Sequence, residues 1–332
     1  MKTYEEFKTF CNTSLNNELN NQSDLRSKVV KKLIFFRALI TLQVIGILAL
    51  MGVFELLINI IEDNWFYTVV SVISLILYVV LIVFVYKHQR KIRNEFTYNF
   101  KLRIIKSIIE FFDKSLNYQP NNYIPFDQFE KSGLFPRRID KYYGDDYVEG
   151  KLDKTNIKFS EIHVFVEENS SDNKKTLVEI FGGVFFIADF NKNFNGKTIV
   201  LPDKAERTLG KFANFFQSLM KQYGELVKLE DIEFEKEFMV YSNDQIESRF
   251  ILSTSIMDRL TNFKRKVKKD IYISFVDNHI YLGIHYKGRL FEPKIFGKLV
   301  SEETLRVYYE QLELTLSIVD ELNLNLRIWG KE

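Results

Sequence analysis

The chain has one cysteine in 332 residues, Cys11, which excludes an intrachain disulfide and a zinc site built on thiolates. A lone cysteine is what a cytosolic location predicts. Charge of one sign is not in excess: 46 Lys and Arg against 44 Asp and Glu leave +2, so the global electrostatics do not point to nucleic acid. The motifs of the commonest enzymes are missing, since no GxxxxGK[ST], HExxH, GxSxG or glycine-rich dinucleotide turn occurs. Proline is scarce at five, and neither glycine nor proline interrupts the chain between Gly52 and Pro120.

What is abundant is apolar length. Ala38 to Phe54 carries no charge for 17 residues and stays apolar to Ile61, and Asn64 to Tyr86 carries none for 23. Each run is long enough to cross roughly 30 Å of hydrocarbon as a helix, the one conformation that satisfies the backbone of such a segment. The expected spans are 34–61 and 64–86, forming a transmembrane hairpin. Gln43, Glu55 and Asn59 are the strongly polar positions of the first run, the last two near its far end, where an interfacial place fits better than a buried one. Trp65, Phe66, Tyr67 and Tyr86 put amphipathic rings at the ends of the second. Lys28, Lys31, Lys32 and Arg37 precede the hairpin and Lys87, Arg90, Lys91 and Arg93 follow it, while Glu62 and Asp63 occupy its turn, so the expectation is an inner-membrane protein with both termini cytoplasmic. About 30 polar residues before the first run argue against a signal peptide. The stretch Lys87–Lys114 holds eight Lys/Arg against three acids, which suits an anionic membrane surface.

On either side of the hairpin the spacing is helical. Tyr4, Phe7, Phe10, Leu15, Leu19, Leu25, Val29 and Leu33 mark an N-terminal helical segment over 1–33, with an Asn-rich piece that weakens it. Phe96, Phe100, Ile104, Ile108 and Leu116 mark a stalk helix over 87–117, which could continue the second span as one helix of about 78 Å from Trp65 to Leu116. The two segments are expected to pack antiparallel, the other reading being an amphipathic segment on the inner leaflet.

After Pro120 and Pro125 the signals turn to strands. Strands are expected at 146–153, 156–166, 176–181, 184–190 and 197–201, with Gly182 and Gly183 as a turn or bulge, then a helix over 203–223. A second block adds a strand at 234–241, a helical turn at 244–249, and a helix capped by Ser253 or Ser255. It closes with a hairpin around Asp277 and Asn278 and a final helix capped by Ser301. The fold class is α+β: a transmembrane helical hairpin with a helical stalk, followed by an antiparallel-sheet cytoplasmic region over 118–332, in one piece or in halves of about 126–224 and 225–332.

Several spaced stretches in that region carry a resemblance. Ser132-Gly133-Leu134-Phe135, Tyr143-Gly144-Asp145-Asp146-Tyr147-Val148-Glu149-Gly150, Phe159-Ser160-Glu161-Ile162-His163, Phe185-Phe186-Ile187-Ala188-Asp189-Phe190-Asn191-Lys192 and Val240-Tyr241-Ser242-Asn243-Asp244-Gln245-Ile246-Glu247-Ser248-Arg249 together resemble a bacterial membrane-protein family, domain of unknown function 3137. That pattern has Ala where this chain has Ser248. The resemblance implies a bacterial two-span membrane protein and brings no activity, cofactor or catalytic residue.

Candidate chemistry is sparse. Glu161 and His163 lie two apart in an expected strand and share a face, so they could do general acid–base work or form a satisfied polar pair. Asp145, Asp146 and Glu149 could bind a hard divalent cation or be a solvated turn. Asp244, Glu247 and Arg249 read as an internal ion pair fixing a turn. His279 and His285 flank a strand too far apart, at roughly 20 Å, to share a metal. Lys264, Arg265, Lys266, Lys268 and Lys269 form a basic run at a helix end, solvated or touching a membrane or nucleic acid. No cofactor is expected. The expected partners are the lipid bilayer and another protein or further copies of this chain. The function expected is a membrane-anchored binding or scaffold module, the alternative a membrane-tethered enzyme using acidic residues with a divalent metal.

Overall fold

The computed structural model describes residues 2–58, 64–136, 138–169, 175–190, 192–203, 222–286, 288–299 and 301–324. Two compact units share the chain: Met1–Phe10, Ile105–Phe291 and Glu303–Glu332 form one, and Cys11–Ile104 with Glu292–Glu302 form the other.

The second unit is helical. After α1 (Tyr4–Thr13) come α2 (Asn16–Ile58) and α3 (Asn64–Phe100), and a π-helical turn follows at Lys101–Ile105. The two long helices run antiparallel, with Glu18 Oε1 3.6 Å from Arg103 Nη1 and the rings of Phe36 and His88 5.1 Å apart. Leu33 and Val85 are buried, and so is Cys11, whose thiol burial pushes up to about 12. Farther out the burial stops: Leu42, Ile45, Leu48, Leu77 and Phe84 are each between 63% and 68% exposed. A continuous apolar surface of this kind belongs against lipid or a partner rather than water. Two helices of the described residues are long and apolar enough to cross a membrane. At the other end Lys101, almost wholly buried, pairs with Glu292 at 3.1 Å, and the Arg37 guanidinium sits 5.0 Å over the Phe296 ring.

The stalk differs from a single regular helix ending at Leu116. The π turn inserts one residue's worth of slack at Lys101–Ile105, and α4 (Lys106–Phe112) ends at Asp113, whose extended backbone breaks the ladder while its carboxylate accepts from Ser115 N at 2.8 Å. Residues 117–119, expected as linker, form a strand.

The first unit is a nine-stranded sheet with helices, which confirms the α+β class. Its strands are β1 (Asn117–Gln119), β2 (Lys141–Leu152), β3 (Thr155–Asn169), β4 (Lys175–Asp189), β5 (Thr198–Pro202), β6 (Glu225–Val227), β7 (Phe238–Ser242), β8 (Ile271–Val276) and β9 (His279–His285). The spatial order is β1-β2-β3-β4-β9-β8-β5-β7-β6, and the paired neighbours run antiparallel. The strands of 126–224 and of 225–332 therefore interleave in one sheet. Among the described residues its helices, besides α4, are α5 (Phe126–Lys131), α6 (Ile232–Glu235), α7 (Gln245–Ile251), α8 (Thr254–Val267) and α9 (Glu302–Glu321). The helix expected over 203–223 falls on residues outside the described ones, apart from its ends.

Two local readings are corrected. Gly182 and Gly183 do not turn the chain: β4 runs through them, paired with β3 and β9, and the expected bulge falls just before them, at Ile180 opposite the Val164–Phe165 step. The strand expected at 234–241 starts as α6, capped by Asp231, whose carboxylate accepts from Glu233 N and Phe234 N at 3.0 Å each.

Both faces of the central strands are buried. One carries Ile162, Val164, Phe181, Phe185 and Tyr281, packed with Phe129, Leu134 and Phe135 from α5 and the loop after it. The other carries Ile273, Phe275, Leu282 and Ile284, each no more than 1% exposed. The first unit also takes in the start of the chain: Phe7 of α1, fully buried, lies 5.8 Å from Phe111 and 5.4 Å from Tyr309, joining α1, α4 and α9 in an aromatic cluster. Phe185 stands at the centre of the first face, 4.9 Å from Phe129 edge-to-face. Phe185→Ala is expected to cost about 3–5 kcal/mol in chemical denaturation, by lost transfer energy and the cavity left behind. Ile246→Ala, at a side chain 83% exposed, is expected to stay within about 0.5 kcal/mol of the parent.

Candidate functional site

The pairing of β2, β3 and β4 assembles the site. In register, Asp145 lies opposite Glu161, Tyr143 opposite His163, and His163 opposite Gly182. Between Asp145 and Val148 the register shifts, and Asp146 takes a positive φ of 59°. This bulge brings Asp146 to the same side as its neighbour, where alternation would have sent it to the opposite face. Carboxylate oxygens of Asp145, Asp146 and Glu161 then lie within 4.8 Å of one another. Gly144 is needed for the approach: a Cβ there would stand 2.1 Å from the Glu161 carbonyl oxygen and force β2 off β3.

Asp146 is fully buried and Glu161 1% exposed, so their charges must be offset by donors. The Tyr118 hydroxyl from β1 donates to Asp146, and the backbone N–H of Leu290 donates to Glu161. His163 adds a third contact, its Nε2 2.7 Å from Glu161 Oε1. Its Nδ1 lies 2.5 Å from Glu179 Oε1, so one imidazole bridges two carboxylates, with the Tyr143 ring stacked on it at 5.1 Å. Gly182 leaves room for this bridge, since a Cβ there would come within 2.6 Å of Glu179 Oε1. Hydrogen bonding to Glu161, opposed by burial and reinforced by Glu179, raises the His163 pKa above its ordinary 6.5.

Of the residues singled out from sequence, Glu161 and His163 do meet, and Asp145 and Asp146 join them. Glu149 does not: lying past the bulge, it accepts from the Tyr147 hydroxyl at 2.8 Å, and Glu161 takes its place beside the two aspartates. Glu179 and Tyr118 were missed, because no sequence spacing links them to the pair. Asp244, Glu247 and Arg249 form no internal ion pair: Asp244 caps α7, accepting from Ile246 N and Glu247 N, while Glu247 accepts from Asn195 N at 3.0 Å and Gly196 N at 2.7 Å. Three of the basic run are committed to acids, Lys264 to Asp270 at 3.1 Å, Arg265 to Glu233 at 2.7 Å and Lys266 to Glu321 at 3.0 Å. His279 pairs instead with Asp189, at 3.4 Å.

Three carboxylates closing on one point can hold a hard cation through oxygen, and a histidine between two carboxylates can carry a proton. The set itself contains no serine, threonine or cysteine. Comparisons with known proteins add the following. Residues 179–324 match the family described as "Protein of unknown function (DUF3137)". No curated protein matches the chain. The crystal structure of the mycobacterial trehalose monomycolate transport factor A, TtfA, aligns over 64% of this chain and 90% of its own, at 10% identity and a TM-score of 0.29, a similarity that transfers neither fold nor function.

A raised histidine pKa stabilises the fold fully below the unfolded value near 6.5, and the gain is lost as pH rises through the folded value. His163→Gln is therefore expected to lose about 2–3 kcal/mol at pH 6, with a smaller deficit at pH 9, in denaturant titrations at both pH values. Equal deficits at the two would refute the bridge as a source of pH dependence.

Proposed function

Starting from a chain whose residues 179–324 match the DUF3137 family, we propose that this protein is a membrane-anchored binding module, its α+β unit held at the cytoplasmic face by the helical hairpin and working through contacts with another protein. The observation that carries this reading is the contrast in burial. The outer parts of α2 and α3 expose contiguous leucine, isoleucine, valine and phenylalanine, whereas the polar groups of the α+β unit largely satisfy one another. Orientation follows from Lys28, Lys31, Lys32 and Arg37 on one flank, Lys87, Arg90, Lys91 and Arg93 on the other, and Glu62 and Asp63 between. Protease added outside intact spheroplasts is expected to leave the 118–332 region uncut, and digestion there would overturn the orientation. Native mass spectrometry of the full-length protein extracted from its own membranes is expected to show a stoichiometric protein partner, and a bare monomer in every extract would count against a binding module.

A second reading, a metal-assisted enzyme, is favoured by one observation, the convergence of Asp145, Asp146 and Glu161. Under this reading Mg²⁺ or Mn²⁺ raises the melting temperature of the full-length protein, by about 2.7 kcal/mol of stabilisation at a hundredfold excess over Kd. Asp145→Asn removes that shift without lowering the metal-free melting temperature, because it relieves repulsion in the cluster. The binding-module reading expects no shift.

A further inference from the structure

The strap Glu292–Glu302 packs with the helical unit, although the whole sheet lies between it and α3 in sequence. Two contacts fasten it. Glu292 reaches Lys101, almost wholly buried in the π turn, and farther along the strap the Phe296 ring lies 5.0 Å from the Arg37 guanidinium. Lys101 follows the end of α3 remote from the apolar run, and Arg37 closes the basic flank before the first span. The strap therefore climbs along the hairpin from the stalk to the level where bare apolar surface begins. Leu42, 68% exposed, lies about 7.5 Å beyond Arg37 along the helix axis. Phe35 on α2 and Tyr86 on α3 expose their rings near the same level.

The tip of the strap has the make-up of an interfacial contact. Phe296 is 46% exposed, Ile295 beside it is half-buried, and Lys294 and Lys298 flank the pair, both exposed. The chain bends over 295–297, where Gly297 takes a φ of 98° that side-chain-bearing residues rarely adopt. Neither lysine has an ion-pair partner among the described residues, and Glu292, the acid nearest to them in sequence, is held by Lys101 at 3.1 Å. The helices beside the tip are basic too, with Lys31, Lys32 and Arg37 on α2 and Lys87, Arg90 and Lys91 on α3. No Asp or Glu occurs between Asp24 and Glu55 or between Asp63 and Glu95. The tip thus joins a positive collar to which the two helices add no acid.

We infer that the tip of this strap, 293–299, is a second membrane contact, in which Phe296 enters the headgroup region of the cytoplasmic leaflet while Lys294, Lys298 and Arg37 pair with the phosphates of anionic phospholipids. The inference rests on reading α2 and α3 as a spanning hairpin. An exposed ring at the edge of an apolar helix pair gains by leaving water at the depth where aromatic side chains concentrate. Free ammonium groups close to an anionic leaflet are drawn to it, each adding to the attraction. Place favours lipid over a protein partner as the occupant: the tip continues the apolar surface of the hairpin, and the charge around it is of one sign. The segment that follows β9 is in this way tied to the bilayer surface in addition to the two spans.

The test places full-length protein carrying Phe296→Trp in nanodiscs of phosphatidylcholine, with or without phosphatidylglycerol, and reads the tryptophan emission added over the parent. Lipids brominated near the glycerol backbone are expected to quench that added emission about twofold or more, and lipids brominated near the chain ends much less. Phosphatidylglycerol is expected to strengthen the quenching, and the pair Lys294→Met and Lys298→Met to abolish the strengthening. The parent's own emission includes Trp65, at the start of α3, and reports separately on the spanning hairpin. Quenching of the parent without quenching of the added emission keeps the hairpin in the bilayer and overturns the strap contact, whereas quenching of neither overturns both. Added emission shielded from aqueous acrylamide and from bromolipid alike means that protein covers the ring, and it overturns the lipid assignment. Equal quenching in the two lipids overturns the anionic headgroup. The three side chains are exposed, so thermal melts of the variants should match the parent.

Discussion

The structure depends first on the pairing of β3 with β4. This ladder runs from Ile157 opposite Ala188 to Asn169 opposite Lys175, and β2 and β9 add to its two sides. Because side chains alternate with a period of two, one register determines both faces at once. It sends Glu161, His163 and Glu179 to one side, and Lys158, Ile187 and Tyr281 to the other. A slip of one residue would put charged groups into the phenylalanine-rich core and dismantle both clusters. The bulges at Asp145–Val148 and Val164–Phe165 are the two places where the period is broken, and both flank the histidine bridge.

The helical unit answers to a different solvent. Its inner ends are held by ion pairs and a cation–π contact, Glu18 with Arg103, Lys101 with Glu292 and Arg37 with Phe296. Farther out Leu42, Ile45, Leu48, Leu77 and Phe84 are exposed, and the amide oxygen of Gln43 is buried with no partner among the described residues. That gradient, from paired charge to bare hydrocarbon along one hairpin, is the physical basis for placing the chain at a membrane. In the α+β unit the polar groups are mostly paired among themselves, and Ser274 Oγ and Gln311 Oε1 are the buried side-chain atoms left without a partner among the described residues.

Much of the architecture could be read from the residues alone. The uncharged runs after Arg37 and before Lys87 announce two long helices by length, the alternation of Phe159, Glu161, His163 and Phe165 announces a strand, and Asp277-Asn278 announces a tight hairpin. Less legible were β1, where Asn117 to Gln119 carries no pattern of its own and becomes a strand only because Val148 and its neighbours offer hydrogen bonds, and the unbroken course of β4 through two glycines.

For the candidate site, sequence alone determined that Glu161 and His163 share a face, because residues two apart in a strand do, and that the chain has a single thiol and none of the glycine-rich loops of familiar enzymes. Only tertiary structure decided which groups they meet. Glu179 arrives from the next strand, Tyr118 from 28 residues before Asp146, and the backbone of Leu290 from 129 residues beyond Glu161. Glu149, two residues past the bulge, is turned away. Side-chain direction within one strand is a local property of the backbone, whereas proximity between strands is a matter of register and bulges, which depend on the burial of both faces of the whole sheet and leave no mark in local spacing.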